Sequence, residues 1–152
     1  MSRLAIRPAT IADLAALRAV FDAAYAQARA EIADLPDVTG GLADDLAQQT
    51  CFAALWDGAI VGGLVLALHG DHAHLVNLAV SPDHGGKGVA KALIGVAEDA
   101  CRAAGLHELR LATHVKMPQN VAIYGRLGWI ETGRDDRKVM MVKRLTTDEG
   151  AT

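Results

Sequence analysis

The stretch SPDHGGKGVAKALI, residues 81–94, sets Gly85, Gly86, Lys87 and Gly88 directly ahead of an apolar, alanine-containing segment. Backbone N–H groups at a helix start point outward without partners, and the helix dipole adds partial positive charge there. Glycines let an anion approach such a backbone closely, so the chemistry on offer is phosphate binding. A glycine turn that only packs a helix against a strand stays open on these residues alone. Two nucleotide-binding patterns are excluded. A Walker loop needs G-x-x-x-x-G-K-[ST], whereas Lys87 is followed by Gly88 and the upstream position is Ser81. The dinucleotide fingerprint fails as well, because Lys91 stands where the third glycine belongs.

Other reactive side chains are scattered. Cys51 (TCFAAL) and Cys101 (EDACRAA) sit in apolar surroundings, with no C-x-x-C pairing and no nearby ligand cluster. Buried free thiols and no metal are expected. His72, His74 and His114 have side chains suited to proton transfer near neutral pH, and each is expected as a surface or structurally satisfied histidine.

The elements that position these residues follow from periodicity. RLAIRP suits a short first strand, and Thr10 with Asp13 predicts a capping box for a helix from about residue 11. That helix carries Leu14, Leu17, Val20, Phe21 and Tyr25 near helical spacing. DLPDVTGG predicts a loop and LADDLAQQ a second helix. CFAALWDGAIVGGLVLALHGDHAHLVNLAV predicts three strands, joined at Asp57-Gly58 and at Gly70-Asp71. Apolar runs this continuous imply strands buried on both faces, hence helices above and below in an α/β layered fold. Val89, Ala92, Leu93, Val96, Ala97, Ala100, Cys101 and Ala104 form one apolar stripe, ended by Gly105. HELRLATHV predicts a strand, Pro118 to Leu127 a short helix stopped by Gly128, and WIETG with RKVMMVKRL two final strands.

At 152 residues, 51% hydrophobic and 22% charged, the chain is expected to fold as one domain, 1–152, without disulfide staples. Its net charge of -3, without an interior lysine and arginine cluster, argues against nucleic acid as partner. MSRLAIRPAT lacks a signal-peptide run, and no apolar run approaches the roughly 20 residues that span a bilayer. A cytoplasmic protein without a membrane partner is the expectation.

NLAVSPDHGGKGVAKALIGVAE, followed by NVAIYGRLGWIETG and KVMMVKRL, resembles the GNAT superfamily of acyl-CoA-dependent N-acetyltransferases. The resemblance covers residues 3–145 and is most specific between 77 and 130, where two motifs fall in register. It implies a mixed, mostly antiparallel central sheet flanked by helices on both faces, and acetyl-CoA as cosubstrate. Main-chain groups of Leu78, Ala79 and Val80 would hold the pantetheine arm. The pyrophosphate turn, Q/R-x-x-G-x-G/A in the family, maps onto Gly85, Gly86, Lys87, Gly88, Val89 and Ala90. Gly85 departs from the Gln or Arg of that pattern, and Lys87 or His84 is left to supply the missing contact.

The second motif places Asn120 at the pantetheine region and Tyr124 as general acid. A phenol with an ordinary pKa of about 10 stays protonated near neutrality and can give its proton to a thiolate whose conjugate acid lies near about 8.5. Many relatives carry a glutamate base where this chain has Asn77, which cannot accept a proton at working pH. Glu31, Asp34 and Asp37 lie in a region that commonly shapes the acceptor pocket, and none is assigned a catalytic role. The expected reaction is acetyl transfer to a primary amine of a small molecule or peptide, with the small-molecule amine favoured. GNAT relatives are often dimers, so a homodimer is open to this chain. Two alternatives remain: a non-catalytic acyl-CoA sensor of the same fold, and an unrelated α/β nucleotide-binding protein.

Overall fold

The computed structural model describes residues 3–32 and 41–145, with the backbone alone at 27–29. The loop expected over 34–41 lies outside the described residues except for Gly41, as do Asp34 and Asp37. The strands are β1 (Leu4–Pro8), β2 (Thr50–Trp56), β3 (Ala59–Leu68), β4 (Ala73–Val80), β5 (Glu108–His114), β6 (Ile130–Arg134) and β7 (Lys138–Arg144). The helices are α1 (Leu14–Glu31), α2 (Leu42–Gln48), α3 (Val89–Ala103) and α4 (Pro118–Arg126). Hydrogen-bonded neighbours run β1-β2-β3-β4-β5-β7-β6 in one seven-stranded sheet. Pairing is antiparallel for β1 with β2, β2 with β3, β5 with β7 and β6 with β7, and parallel for β4 with β5. The expected order of elements and the mixed, mostly antiparallel sheet are both present.

The chain forms two compact units: Met1–Ala67 with Val76–Ala97, and Leu68–Leu75 with Glu98–Thr152. In the first, Val61 to Ala67 of β3 are buried without interruption, as a strand covered on both faces must be. Successive strand residues point to opposite faces, and Gly62 and Gly63 exploit this. A Cβ on Gly63 would lie 2.7 Å from Leu17 and 2.9 Å from Phe21 of α1. One on Gly62 would lie 3.1 Å from Val89 and 3.3 Å from Leu93 of α3. The missing side chains thus let one helix close on each face. Leu17, Val20 and Phe21 of α1 join Leu42, Leu46, Cys51, Ala53, Val65 and Ala79 in one core cluster.

Helix α1 begins three residues later than its sequence predicts. Asp13 N–H closes on Thr10 C=O at 2.8 Å, and the Asp13 carboxylate accepts Thr10 N–H at 3.0 Å while Arg7 clamps it at 2.8 and 2.9 Å. Those contacts tighten Ile11–Asp13 into a 3-10 turn. The hairpin at Asp57-Gly58 forms as expected, with both residues at positive φ (52° and 87°). Gly70 and Asp71 lie in the turn closed by His69 N–H to His72 C=O at 2.9 Å.

In the second unit, Leu111 of β5 stands opposite Met141 of β7, and both are buried with Leu109 and Val139. Glu98, on the last turns of α3, accepts Lys143 Nζ of β7 at 2.7 Å. Both cysteines are buried free thiols, pushed up to about 11 chiefly by burial. Thiols held protonated in this way are poor nucleophiles. Among the described residues no helix is long and apolar enough to cross a membrane.

Candidate functional site

In the first unit, β4 runs through Leu78, Ala79 and Val80 into a 3-10 turn at Pro82–His84, then the glycines, then α3. Ser81 N–H anchors the exit of the strand on Val61 C=O at 2.7 Å. Gly86 and Gly88 adopt φ of +77° and +81°, a region that side-chain-bearing residues rarely enter. Nothing lies within 4 Å of a Cβ built on either, so the space above the turn is open. Ala92 N–H bonds Gly88 C=O at 3.0 Å, which puts the N–H groups of Val89, Ala90 and Lys91 ahead of the first i to i−4 bond. Gly85 is different. Its φ is −64°, and a Cβ there would meet only Pro82 O at 3.7 Å, so the backbone does not require glycine at this position.

Trp56, at the end of β2, gathers the side chains of the turn. Lys87 Nζ stands 4.9 Å from its ring centroid, the His84 ring 6.0 Å and Arg3 Cζ 5.7 Å. Arg3 is also held by Asp57 at 2.9 Å. Placing an ammonium over an indole restricts a side chain that is otherwise costly to order. His84 Nδ1 is buried without a hydrogen-bond partner among the described residues. An open glycine turn, outward N–H groups, a positioned cation and an orphaned ring nitrogen together fit a diphosphate.

Asn77, one step upstream, is buried at 8% exposure. The Tyr25 hydroxyl of α1 lies 3.2 Å from Asn77 Oδ1 and 3.1 Å from Leu78 C=O, donating its single proton to that pair of acceptors. Burial pushes the Tyr25 phenol above its ordinary value, which keeps that proton in place. Of the three main-chain segments expected to hold pantetheine, Leu78 therefore has its carbonyl already engaged. Leu78 to Val80 also lie past the parallel ladder of β4 with β5, which comprises Ala73 opposite Leu109 and His74 opposite Arg110.

The second unit carries Asn120 and Tyr124, four apart on α4 and so on one helix face. Asn120 does not cap the helix, a role that falls to Met117. Its Nδ2 reaches Thr113 Oγ1 of β5 at 3.3 Å and Met117 Sδ at 3.8 Å. Tyr124 is half-buried, its ring edge-on to Trp129 at 5.5 Å and 62°. Trp129 N–H bonds the Tyr124 C=O at 3.0 Å, which pins the end of α4. Buried His114 accepts Lys116 N–H at Nδ1 at 3.1 Å, the structural role expected of it.

Tyr25 and Trp56 are the neighbours of the predicted site that sequence reasoning missed. Tyr25 stands on the apolar stripe of α1, where its hydroxyl is a signal in itself, since a buried tyrosine O–H needs a partner. Trp56 stands next to the Asp57-Gly58 turn, and nothing in its local sequence links it to a loop some thirty residues on.

Residues 16–129 match the model of the acetyltransferase (GNAT) family. The chain is 34% identical over 91 residues to the N-alpha-acetyltransferase MAK3 of Arabidopsis thaliana, a match covering 57% of this chain and 47% of that protein. The chain thus spans about half the length of this curated relative. Among solved structures, the PaiA N-acetyltransferase of Thermoplasma acidophilum in complex with coenzyme A aligns at TM-score 0.84 and 22% identity, covering 95% of this chain and 99% of that one. The ribosomal-protein-S18-alanine N-acetyltransferase of Escherichia coli aligns at TM-score 0.80 and 20% identity, covering 95% of each chain.

Proposed function

The chain belongs to the acetyltransferase (GNAT) family, and from that premise we propose that it is an N-acetyltransferase that takes acetyl-CoA and acylates a primary amine of a small molecule or peptide. The observation that carries this is the open turn at Gly86 and Gly88, with Lys87 over Trp56, at the start of α3. Gly85 to Ala90 bind the pyrophosphate, largely through backbone N–H groups. Main-chain groups of Leu78, Ala79 and Val80 hold the pantetheine arm, and Asn120 contributes from α4.

Acetyl-CoA supplies an activated acyl group, a thioester carbonyl open to attack by an unprotonated amine with release of the CoA thiol. Tyr124 is assigned as the general acid that returns a proton to the departing sulfur. Asn77, its Oδ1 engaged by Tyr25, serves as a fixed polar group and not as the base. No cysteine nucleophile is invoked, in keeping with the raised thiols. The name of the Arabidopsis relative supports peptide α-amines as acceptors to be tried alongside small-molecule amines. We propose that residues 1–152 act as one domain, in the cytoplasm, with homodimerisation as an assembly to be tested.

Calorimetry with acetyl-CoA tests the cosubstrate assignment, and absence of binding at millimolar ligand overturns it. An amine and peptide panel with thiol detection then separates the enzyme from an acyl-CoA sensor, because only the enzyme releases CoA in response to a particular amine. Tyr124→Phe is expected to lower turnover by about tenfold or more while leaving acetyl-CoA affinity within about twofold. Unchanged turnover removes Tyr124 from the acid role.

A further inference from the structure

In the second unit, a pocket of about 420 Å³ opens on the sheet, lined by Leu111, Ala112, Met140, Met141 and Val142 together with a set of polar and charged side chains. Strand register builds it. His74 of β4 stands opposite Arg110 of β5, Arg110 opposite Val142 of β7, and Glu108 opposite Arg144. Side chains alternate along a strand, so Glu108 and Arg110 share the face that buried Leu109 and Leu111 turn away from. His72, from the turn between β3 and β4, completes the polar lining.

The charges there do not balance. Arg110 gives its Nε to Glu108, which leaves its two terminal nitrogens outside that contact. Arg144 reaches the same carboxylate at 3.4 Å, and its side chain is 82% exposed. One carboxylate thus faces two guanidiniums. Asp71, which takes His72 Nδ1 at 2.7 Å, is 85% exposed and screened by water. His74 is half-buried, and among the described residues neither of its ring nitrogens has a hydrogen-bond partner. Burial, then the positive charge of His69, His72, Lys138 and Arg110, pushes its imidazole below the ordinary value. Burial disfavours a charge of either sign, and it is the cationic neighbours Arg110 and Lys138, the smaller part of that shift, that favour an anion beside His74.

We propose that this pocket is a binding site for a small anion, a molecule bearing a carboxylate or phosphate group, held by Arg110 and Arg144 with His72 and His74 as additional donors. Guanidinium forks suit both oxyanions, and each charge-assisted bond is about twice as strong as a neutral one. A seated anion makes protonation of His74 easier, so binding and proton uptake are linked and affinity falls as pH rises. Of the groups around the site, Asp71 and Glu108 oppose the anion, while His69, His72, Arg110, Lys138 and Arg144 favour it.

The test is a two-dimensional NMR titration of the full chain with citrate and, separately, with inorganic phosphate, at about pH 6.5 and about pH 8, with glycerol as the uncharged control. Saturable shifts centred on 72–74, 108–112 and 140–144 are expected. Affinity should be at least about threefold tighter at the lower pH, although both probes carry more negative charge at the higher one. Arg110→Gln with Arg144→Gln should weaken binding by about tenfold or more. Arg144→Gln alone, at an exposed side chain, gives the same direction should the double variant melt early. Saturation by citrate alone or by phosphate alone supports the site and identifies the group it takes. No saturation by either probe at tens of millimolar, shifts spread over the surface, or affinity unchanged in the variants overturns the proposal.

Discussion

The Tyr25 hydroxyl joins Asn77 Oδ1 at 3.2 Å and Leu78 C=O at 3.1 Å, so one side chain of α1 fixes the strand position just ahead of the proposed cofactor segment. Tyr25→Phe removes the only proton that hydroxyl can give, and with it the contacts to Asn77 Oδ1 and Leu78 C=O. A loss of about 1 to 2 kcal/mol of stability is expected, lowering the melting temperature by roughly 2 to 8 °C for a chain of this size. Differential scanning calorimetry measures it. An unchanged melting temperature would mean that water replaces the hydroxyl.

Gly85 concerns the cosubstrate and not the fold. With φ at −64° and only Pro82 O within 4 Å of a Cβ, the position accepts a side chain without strain. Gly85→Arg is expected to tighten acetyl-CoA binding by about three- to tenfold through one added charge-assisted contact. Acetyl-pantetheine, which lacks the diphosphate, should show no change. Equal tightening of both ligands would place the effect away from the phosphates.

Much of this architecture is legible in the chain because local and tertiary signals agree. Asp57-Gly58 forms its hairpin, the Val89 to Ala104 stripe forms α3, and the uninterrupted burial of β3 follows from an apolar run without alternation. Disagreement arises where a side chain recruits the backbone, as Arg7 and Asp13 do in turning the expected first turn of α1 into a 3-10 turn. At the site, the glycine turn is visible as a motif, since its requirement for positive φ is local. Trp56 beneath Lys87 and Tyr25 beside Asn77 are non-local, brought together by strand pairing and helix packing, and no spacing rule finds them. The Gly62-Gly63 pair carries a local signal of its own, because glycines inside a strand mark close approach of another element.

Gly63→Ala tests that approach directly. A methyl group there would stand 2.7 Å from Leu17 and 2.9 Å from Phe21, both buried at 2% exposure or less. Neither can swing into solvent, so α1 must shift or the side chains must leave their rotamers. Destabilisation of about 1 to 3 kcal/mol is expected from overpacking, read as a lower urea midpoint at unchanged slope. A stabilised Gly63→Ala protein would show that α1 has room to move off β3.

The pairing of Arg7 with Asp13 predicts an acid-limb dependence of stability. The Arg7 side chain, then Thr10 N–H, holds the Asp13 carboxyl at about 2, below its ordinary 3.8. A carboxylate depressed in the folded state contributes stability above its unfolded pKa, and that contribution is lost as pH falls through the folded value. The window therefore runs from about pH 4 down to about pH 2. Because the Arg7 side chain is 44% exposed, solvent screening reduces the contribution to the order of 1 kcal/mol at neutral pH. Asp13→Asn should be less stable than wild type at about pH 6, with the gap narrowing as pH falls from about 4 to about 2 and Asp13 takes up its proton. Urea unfolding at a series of pH values measures that gap, and a gap of constant size across the series would remove the ion pair as its source.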